Sequence, residues 1–133
     1  MQKEILIPIY GCSVFVQVTN DILAANKYLK LHYGISEDLS DCRGIVFNQI
    51  SPVYKARIFV MLIQYNENKK EYWDTIGHEM MHLTQDILES RQIYFKRKDS
   101  NESYAYIQGH LMADTYDLFD KAYNKYKRLK TKN

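Results

Sequence analysis

The chain has 133 residues, a length that suits one domain with its own hydrophobic core. Lys and Arg number 18 against 16 Asp and Glu, so the net charge of +2 alone indicates neither a nucleic-acid binder nor a strongly acidic partner. Tyrosine is abundant, at 12 residues, which suits a binding cleft or an interface but equally the packing at the edge of a core.

The cysteines and the apolar runs indicate a cytoplasmic protein. Cys12 and Cys42 are isolated and match no CxxC spacing of a metal or redox site, so we expect two reduced thiols. Glu4 and Pro8 leave too short an apolar run near the N-terminus for a signal peptide. Because no segment approaches the ~18 apolar residues of a membrane helix, the sequence predicts a cytoplasmic protein with no membrane partner.

The first part of the chain predicts two strands and a helix. EILIPI (4–9) and SVFVQV (13–18) are rich in β-branched residues, and the turn between them covers residues 10–12. Asn20 or Asp21 can cap a helix that runs to about residue 32, with Gly34 past its end. The expected apolar side of this helix comprises Ile22, Leu23, Tyr28, Leu29 and Leu31.

The second part predicts two more strands and two longer helices. GIVFNQI (44–50) and ARIFVMLIQY (56–65) are the strands, with Pro52 in the bend between them. A helix over about 71–89 is followed by a last helix over about 101–129. The 71–89 helix has an apolar face of Trp73, Ile76, Met80, Leu83 and Ile87. The order predicts an α+β domain in which a small sheet of about four strands packs with three main helices.

Chemistry concentrates in TIGHEMMHL, residues 75–83, on the polar side of the 71–89 helix. His78 and His82 are four residues apart, so both imidazoles can point at one position in space. Glu79 is rotated by about 100° from His78 and would lie beside that position. This is the HExxH arrangement, in which two imidazoles bind Zn²⁺, zinc lowers the pKa of a water, and the glutamate takes its proton.

Two histidines do not complete a zinc site, and Glu102 is the best candidate for the third ligand. It lies in the first turn of the last helix, with residues 83–101 separating it from His82. If the two helices pack antiparallel, Glu102 would face the histidines. Gly109 and Ala113 lie within about 20° of the Glu102 direction, so the three residues predict a seam along which the helices approach closely.

HEMMHLTQD followed by Glu102 resembles the gluzincin branch of zinc metallopeptidases, with the spacing of the thermolysin group. The resemblance implies that His78, His82 and Glu102 are zinc ligands and that Glu79 is the general base. Asp86 matches an aspartate in the active-site helix of that group, where it belongs to the surroundings that support the motif.

The resemblance covers residues 78–102, and the rest of the chain matches a minimal zincin core by element order alone. NESYAYIQGHL is also similar to small zincin-like proteins encoded by phages and prophages. One position departs from the pattern, because Tyr106 stands where the thermolysin group often has an aspartate that orients the first histidine. Another group must then fix the His78 tautomer, or the site binds metal less well.

Further residues have candidate roles beside this motif. ARIFVMLI would be the strand beside the cleft, pairing with an extended peptide substrate, or an ordinary buried strand. Tyr104, Tyr106 and His110 are the nearest candidates for a donor that stabilises the transition state, although tyrosines at helical spacing usually serve packing. Zinc suits two imidazoles and one carboxylate, and Mn, Co and Ni remain open.

The hypothesis from sequence is therefore a zinc-dependent metalloendopeptidase that hydrolyses a peptide or protein substrate. The alternatives are that HExxH is a chance polar helix face, or that a non-catalytic zincin-fold protein binds a partner protein or DNA. Basic residues in the loop and the last helix could contact nucleic acid or form a solvated face. They are Arg91, Lys96, Arg97, Lys98, Lys121, Lys125, Lys127, Arg128 and Lys130.

Overall fold

Four strands form one mixed sheet in a computed structural model that describes residues 1–7 and 12–132. The strands are β1 (Gln2–Ile7), β2 (Cys12–Thr19), β3 (Gly44–Ser51) and β4 (Ala56–Gln64). They lie in the order β1-β2-β4-β3, with β2 and β4 parallel and the other pairs antiparallel. The predicted end of the first strand at residues 8 and 9, and positions 10 and 11 of the predicted turn, lie outside the described residues.

Three helices cover the two faces of the sheet. They are α1 (Ile22–Tyr33), α2 (Lys69–Glu89) and α3 (Asn101–Thr131). The α1 helix packs on one face, and α2 and α3 pack on the other. The predicted α+β class, with about four strands, three helices and HExxH on the second helix, is confirmed. None of the described helices combines the length and the apolar run that crossing a membrane would need.

Side-chain alternation along the strands divides the core between the two faces. Val14, Val16 and Val18 of β2 pack toward α2 and α3, whereas Phe15 packs toward α1. The same alternation runs through β4, where every residue from 58 to 63 is buried. A strand with neighbours on both sides and helices on both faces has no solvated side, which explains the unbroken apolar run IFVMLI.

The α1 helix has the predicted ends but a different buried side. The Asp21 side chain accepts hydrogen bonds from the first-turn amides, and Gly34 ends the helix in a left-handed conformation (φ 69°). The predicted apolar side is wrong for Leu23 and Leu31, which are 69% and 73% exposed. The buried residues are Ala25, Leu29 and Tyr33, spaced by four along one face.

Buried tyrosines tie α2 and α3 to the rest of the fold. Four hydroxyls each donate a hydrogen bond of 2.9 to 3.0 Å to a backbone carbonyl: Tyr72 to Phe119, Tyr104 to Ile93, Tyr123 to Glu67 and Tyr126 to Val18. A tyrosine at such a position contributes apolar area to the core, and the carbonyl gives its hydroxyl a hydrogen-bond acceptor away from water. Part of the abundance of tyrosine is therefore structural.

The α3 helix packs through the face opposite the predicted seam. Tyr104, Ile107 and Leu111 are buried, and at 100° per residue they lie about 140–200° around the helix from Glu102. Glu102, Gly109 and Ala113 are all exposed, and a Cβ added to Gly109 would meet nothing within 4 Å. The predicted seam is wrong because aromatic and aliphatic side chains, and not the small residues, supply the apolar area that α3 buries.

Candidate functional site

The HExxH segment lies in the middle of α2, with its two histidines on the exposed side. Asn68 caps the helix by accepting hydrogen bonds from the amides of Lys70 and Glu71. The predicted apolar face is confirmed for Ile76, Met80, Leu83 and Ile87, which are buried, and Trp73 is partly buried. The histidines therefore face away from the core, as predicted.

The two imidazoles converge on each other. The Nε2 atoms of His78 and His82 are 3.1 Å apart. Two nitrogens bound to one tetrahedral Zn²⁺ at about 2.05 Å would be separated by about 3.3 Å, so the pair needs little adjustment to hold one ion. The same separation also permits a hydrogen bond when one nitrogen is protonated and the other is not.

Glu79 lies beside this pair and is largely shielded from solvent. Its Oε1 atom is 4.0 Å from the Nε2 atom of His78, and the residue is only 8% exposed. Burial raises the pKa of the Glu79 carboxyl above its ordinary value of 4.5, and the two histidines oppose that shift. A carboxylate with a raised pKa beside the histidine pair is suited to accept a proton at physiological pH.

The edge strand β3 borders a cleft beside Glu79 and His82. The cleft has a volume of about 290 Å³ and is lined by Gly44, Ile45, Val46, Glu79, His82 and Asp86. The prediction that ARIFVMLI, now β4, forms the strand beside the cleft is wrong, because β4 lies between β2 and β3. The polar residues Asn48 and Gln49 in β3, compared with the unbroken apolar run of β4, are the sequence signal that β3 is the less buried of the two strands.

Gly44 allows β3 to approach α2 closely, a role that its place in the sequence pattern does not predict. A Cβ at this position would lie 2.8 Å from the Cγ atom of Glu79 and 2.8 Å from the Cγ2 atom of Thr75. Both neighbours are on α2, so a larger residue at position 44 must displace either the strand or the general-base candidate. Only the position of this glycine at the start of a predicted strand could have suggested a close backbone approach.

We expect overpacking in Gly44→Ala to lower the free energy of unfolding by about 1–3 kcal/mol. The higher strand propensity of alanine offsets ~0.5–1 kcal/mol of this loss. Gly109→Ala is the matched control, because its Cβ meets open space on a helix. That change should stabilise the protein by about 0.5–1 kcal/mol. Urea unfolding of both variants measures the difference, and equal effects would contradict the close contact between Gly44 and α2.

Glu102 is not brought to the histidine pair. It is exposed in the first turn of α3, and residues 1–7 and 12–132 contain no group of three or more His, Cys, Asp or Glu side chains placed to hold a metal ion. The side of α3 that carries Glu102 does not pack against α2, because α3 packs through Tyr104, Ile107 and Leu111 on its opposite side. The assignment of Glu102 as third ligand therefore stays a prediction from sequence spacing.

The three candidates for transition-state stabilisation are not among the residues that line the cleft. Tyr104 is buried and its hydroxyl is committed to the carbonyl of Ile93, at 2.9 Å. Tyr106 is 74% exposed, and the Nε2 atom of His110 is 3.1 Å from a carboxylate oxygen of Asp114 on the surface of α3. Their catalytic role stays a prediction without a contact that supports it.

Two further side chains lie near Glu79. Asp86 lines the cleft one turn after His82, and burial followed by the Glu89 carboxylate raises its pKa, against the effect of His82. Cys42 donates a hydrogen bond from Sγ to the carbonyl of Gly44 at 3.1 Å, and burial together with the Glu79 carboxylate raises its pKa. A raised pKa keeps the thiol protonated, so Cys42 is a poor nucleophile here.

Comparison with known proteins finds no matching family model, and neither a curated protein nor a solved structure gives a significant match. What can be proposed about this site therefore rests on the HExxH motif and on the geometry around it.

Proposed function

We propose that this protein is a zinc-dependent peptidase whose site is built on His78, Glu79 and His82. The observation that carries the proposal is the convergence of the two imidazole Nε2 atoms, 3.1 Å apart, with the Glu79 carboxylate beside them. A helical HExxH segment that faces solvent beside the edge strand β3 supports a functional motif over a chance polar face.

His78 and His82 can supply two of the ligands of a zinc ion. His78 and His82 would hold the ion through Nε2, and the ion would polarise a peptide carbonyl and make water a stronger nucleophile. The sequence spacing favours Glu102 as the third ligand. Its exposed position does not fit that role unless the first turn of α3 rearranges. Mn, Co and Ni also accept imidazole, so the identity of the metal is part of the proposal.

Glu79 is proposed as the general base. Its carboxylate would take a proton from the attacking water and pass it to the leaving amine nitrogen. Burial supports this role because it raises the pKa of the carboxyl toward the pH at which the enzyme would operate. Gly44 would act as a positioning residue, since it leaves room for the Glu79 side chain beneath β3.

The substrate backbone would pair with β3. This strand is the edge of the sheet on the side of the cleft, and an edge strand offers unpaired amides and carbonyls to an extended peptide. The pairing would draw the peptide past Glu79 and His82. A cytoplasmic location belongs to the same proposal and is supported by the free thiols of Cys12 and Cys42.

Metal content tests the proposal directly. We expect protein purified without chelators to hold about one zinc per chain by mass spectrometry, and His82→Ala to lose it. His32→Ala, which changes a histidine on α1 across the sheet, is the control and should keep the metal. If the wild-type protein binds no zinc even when zinc is supplied, the site is a polar helix face and the proposal fails.

The Glu102→Ala variant, measured in the same experiment, tests whether Glu102 is the third zinc ligand. Loss of zinc would mean that the first turn of α3 turns toward α2 when the metal binds. Retention of zinc with unchanged affinity would mean that solvent or substrate completes the coordination of the histidine pair.

A further inference from the structure

The cleft beside β3 contains a carboxylate without a partner. Asp86 is only partly exposed, yet within the described part of the chain its side chain makes no hydrogen bond and no ion pair. A carboxylate that is partly removed from water without a partner is unfavourable, and a cation placed beside it offsets that cost. The position of Asp86 in the wall of the cleft makes it accessible to a bound ligand.

The surroundings of Asp86 are acidic. Between residues 79 and 89, α2 contains three carboxylates, at Glu79, Asp86 and Glu89, and neither Lys nor Arg. The other wall of the cleft is β3, whose sequence GIVFNQIS contains no charged residue. The nearby Arg43 is directed to Glu71, at 3.9 Å, and it does not line the cleft. Apart from His82, no residue in the lining of the cleft can offer a positive charge to Asp86.

We infer that the cleft selects peptides with a lysine or arginine side chain that pairs with Asp86 while the peptide backbone pairs with β3. This inference rests on the proposed peptidase function and adds a substrate class to it. The peptide would lie along β3 past Glu79 and His82, and its basic side chain would enter the cleft at Asp86. A neutral or acidic side chain at the same position would leave the Asp86 carboxylate unpaired or repelled.

Binding to a hydrolysis-deficient protein tests the inference. The probes are fluorescent decapeptides of otherwise fixed neutral sequence with Lys, Gln or Glu at one position, scanned along the peptide. With zinc-loaded Glu79→Gln protein we expect the lysine peptide to bind at least about tenfold more tightly than its glutamine counterpart at one position. Asp86→Asn in the same background should remove that difference, and Asp86→Lys should favour the glutamate peptide.

Asp74→Asn is the matched control, because it removes the same charge from an exposed position of the same helix and lies outside the cleft. It should keep the preference for lysine. Equal binding of the lysine and glutamine peptides at every position, or a preference that survives Asp86→Asn, would overturn the inference. So would loss of zinc in Asp86→Asn, because Asp86 would then act on the metal site.

Hydrolysis by the wild-type protein separates this inference from the proposed function. Hydrolysis of the peptides without a charge preference would overturn only the role of Asp86. If the zinc-loaded wild type hydrolyses none of the peptides and the Glu79→Gln protein binds none, the peptidase function fails and the inference fails with it. A lysine preference in both binding and kcat/KM, lost in Asp86→Asn, would support both.

Discussion

Glu79→Gln is expected to lower peptide hydrolysis by about 100-fold or more while the zinc content stays at the wild-type level. The size of the loss is that of removing a general base, and glutamine keeps the shape of the side chain but cannot accept the proton. Zinc should be retained because Glu79 lies beside the two histidines, with Oε1 4.0 Å from the Nε2 atom of His78. The measurements are kcat/KM on a peptide substrate and metal content of the same preparation.

Glu89→Gln is the matched control for this change. It makes the same substitution on the same helix, at a residue that lies outside the cleft and accepts a hydrogen bond from Gln85. Its kcat/KM should stay close to that of the wild type, because Glu89 lies outside the cleft in which the substrate would bind. Undiminished hydrolysis in Glu79→Gln would exclude the proposed base, and loss of zinc would assign Glu79 to the metal.

The pH dependence of stability checks that Glu79→Gln is folded and that the carboxylate is buried. Since burial raises the pKa of Glu79, the folded metal-free protein binds more protons than the unfolded chain as pH rises above 4.5. Glu79 therefore lowers the free energy of unfolding of the wild type as pH rises above 4.5. Glutamine does not titrate, so the variant should gain stability relative to the wild type over the same pH range.

Local signals in the sequence are sufficient to predict the helices and strands and the exposure of His78 and His82 on α2. The apolar spacing that buries Met80 and Leu83 also fixes the rotation of α2, and this places His78 and His82 toward solvent. The caps of α1 and α2 follow from Asp21 and Asn68, whose side chains can satisfy first-turn amides without any tertiary contact. Such features depend on neighbours in the chain and are therefore readable from it.

Non-local features could not be predicted in the same way. The position of β3 at the sheet edge depends on the parallel pairing of β2 with β4, which the sequence of either strand does not specify. The prediction of a packing seam through Glu102 was wrong because a helix with small residues on one side and bulky apolar residues on another can pack through either side. Tyr104, Ile107 and Leu111 bury more area than Gly109 and Ala113 could, and they decide the rotation of α3.

The second large effect is on stability, and it depends on which side of α2 faces the core. Leu83 follows His82 directly and is 0% exposed in the core between the sheet, α2 and α3. We expect Leu83→Ala to lower the free energy of unfolding by about 2–5 kcal/mol, a large part of the ~5–15 kcal/mol typical of a domain. Because leucine and alanine have similar helix propensities, the loss would report packing.

Met81→Ala is the matched control on the other side of His82. Met81 is 46% exposed, so its truncation should change stability by no more than about 0.5 kcal/mol. Urea unfolding followed by the fluorescence of Trp73, the single tryptophan, measures both variants, with the denaturant slope expected to stay constant. A small effect at Leu83 with a large one at Met81 would mean that α2 is rotated about its axis. The same rotation would turn His82 away from solvent, so this measurement checks the orientation on which the proposed zinc site depends.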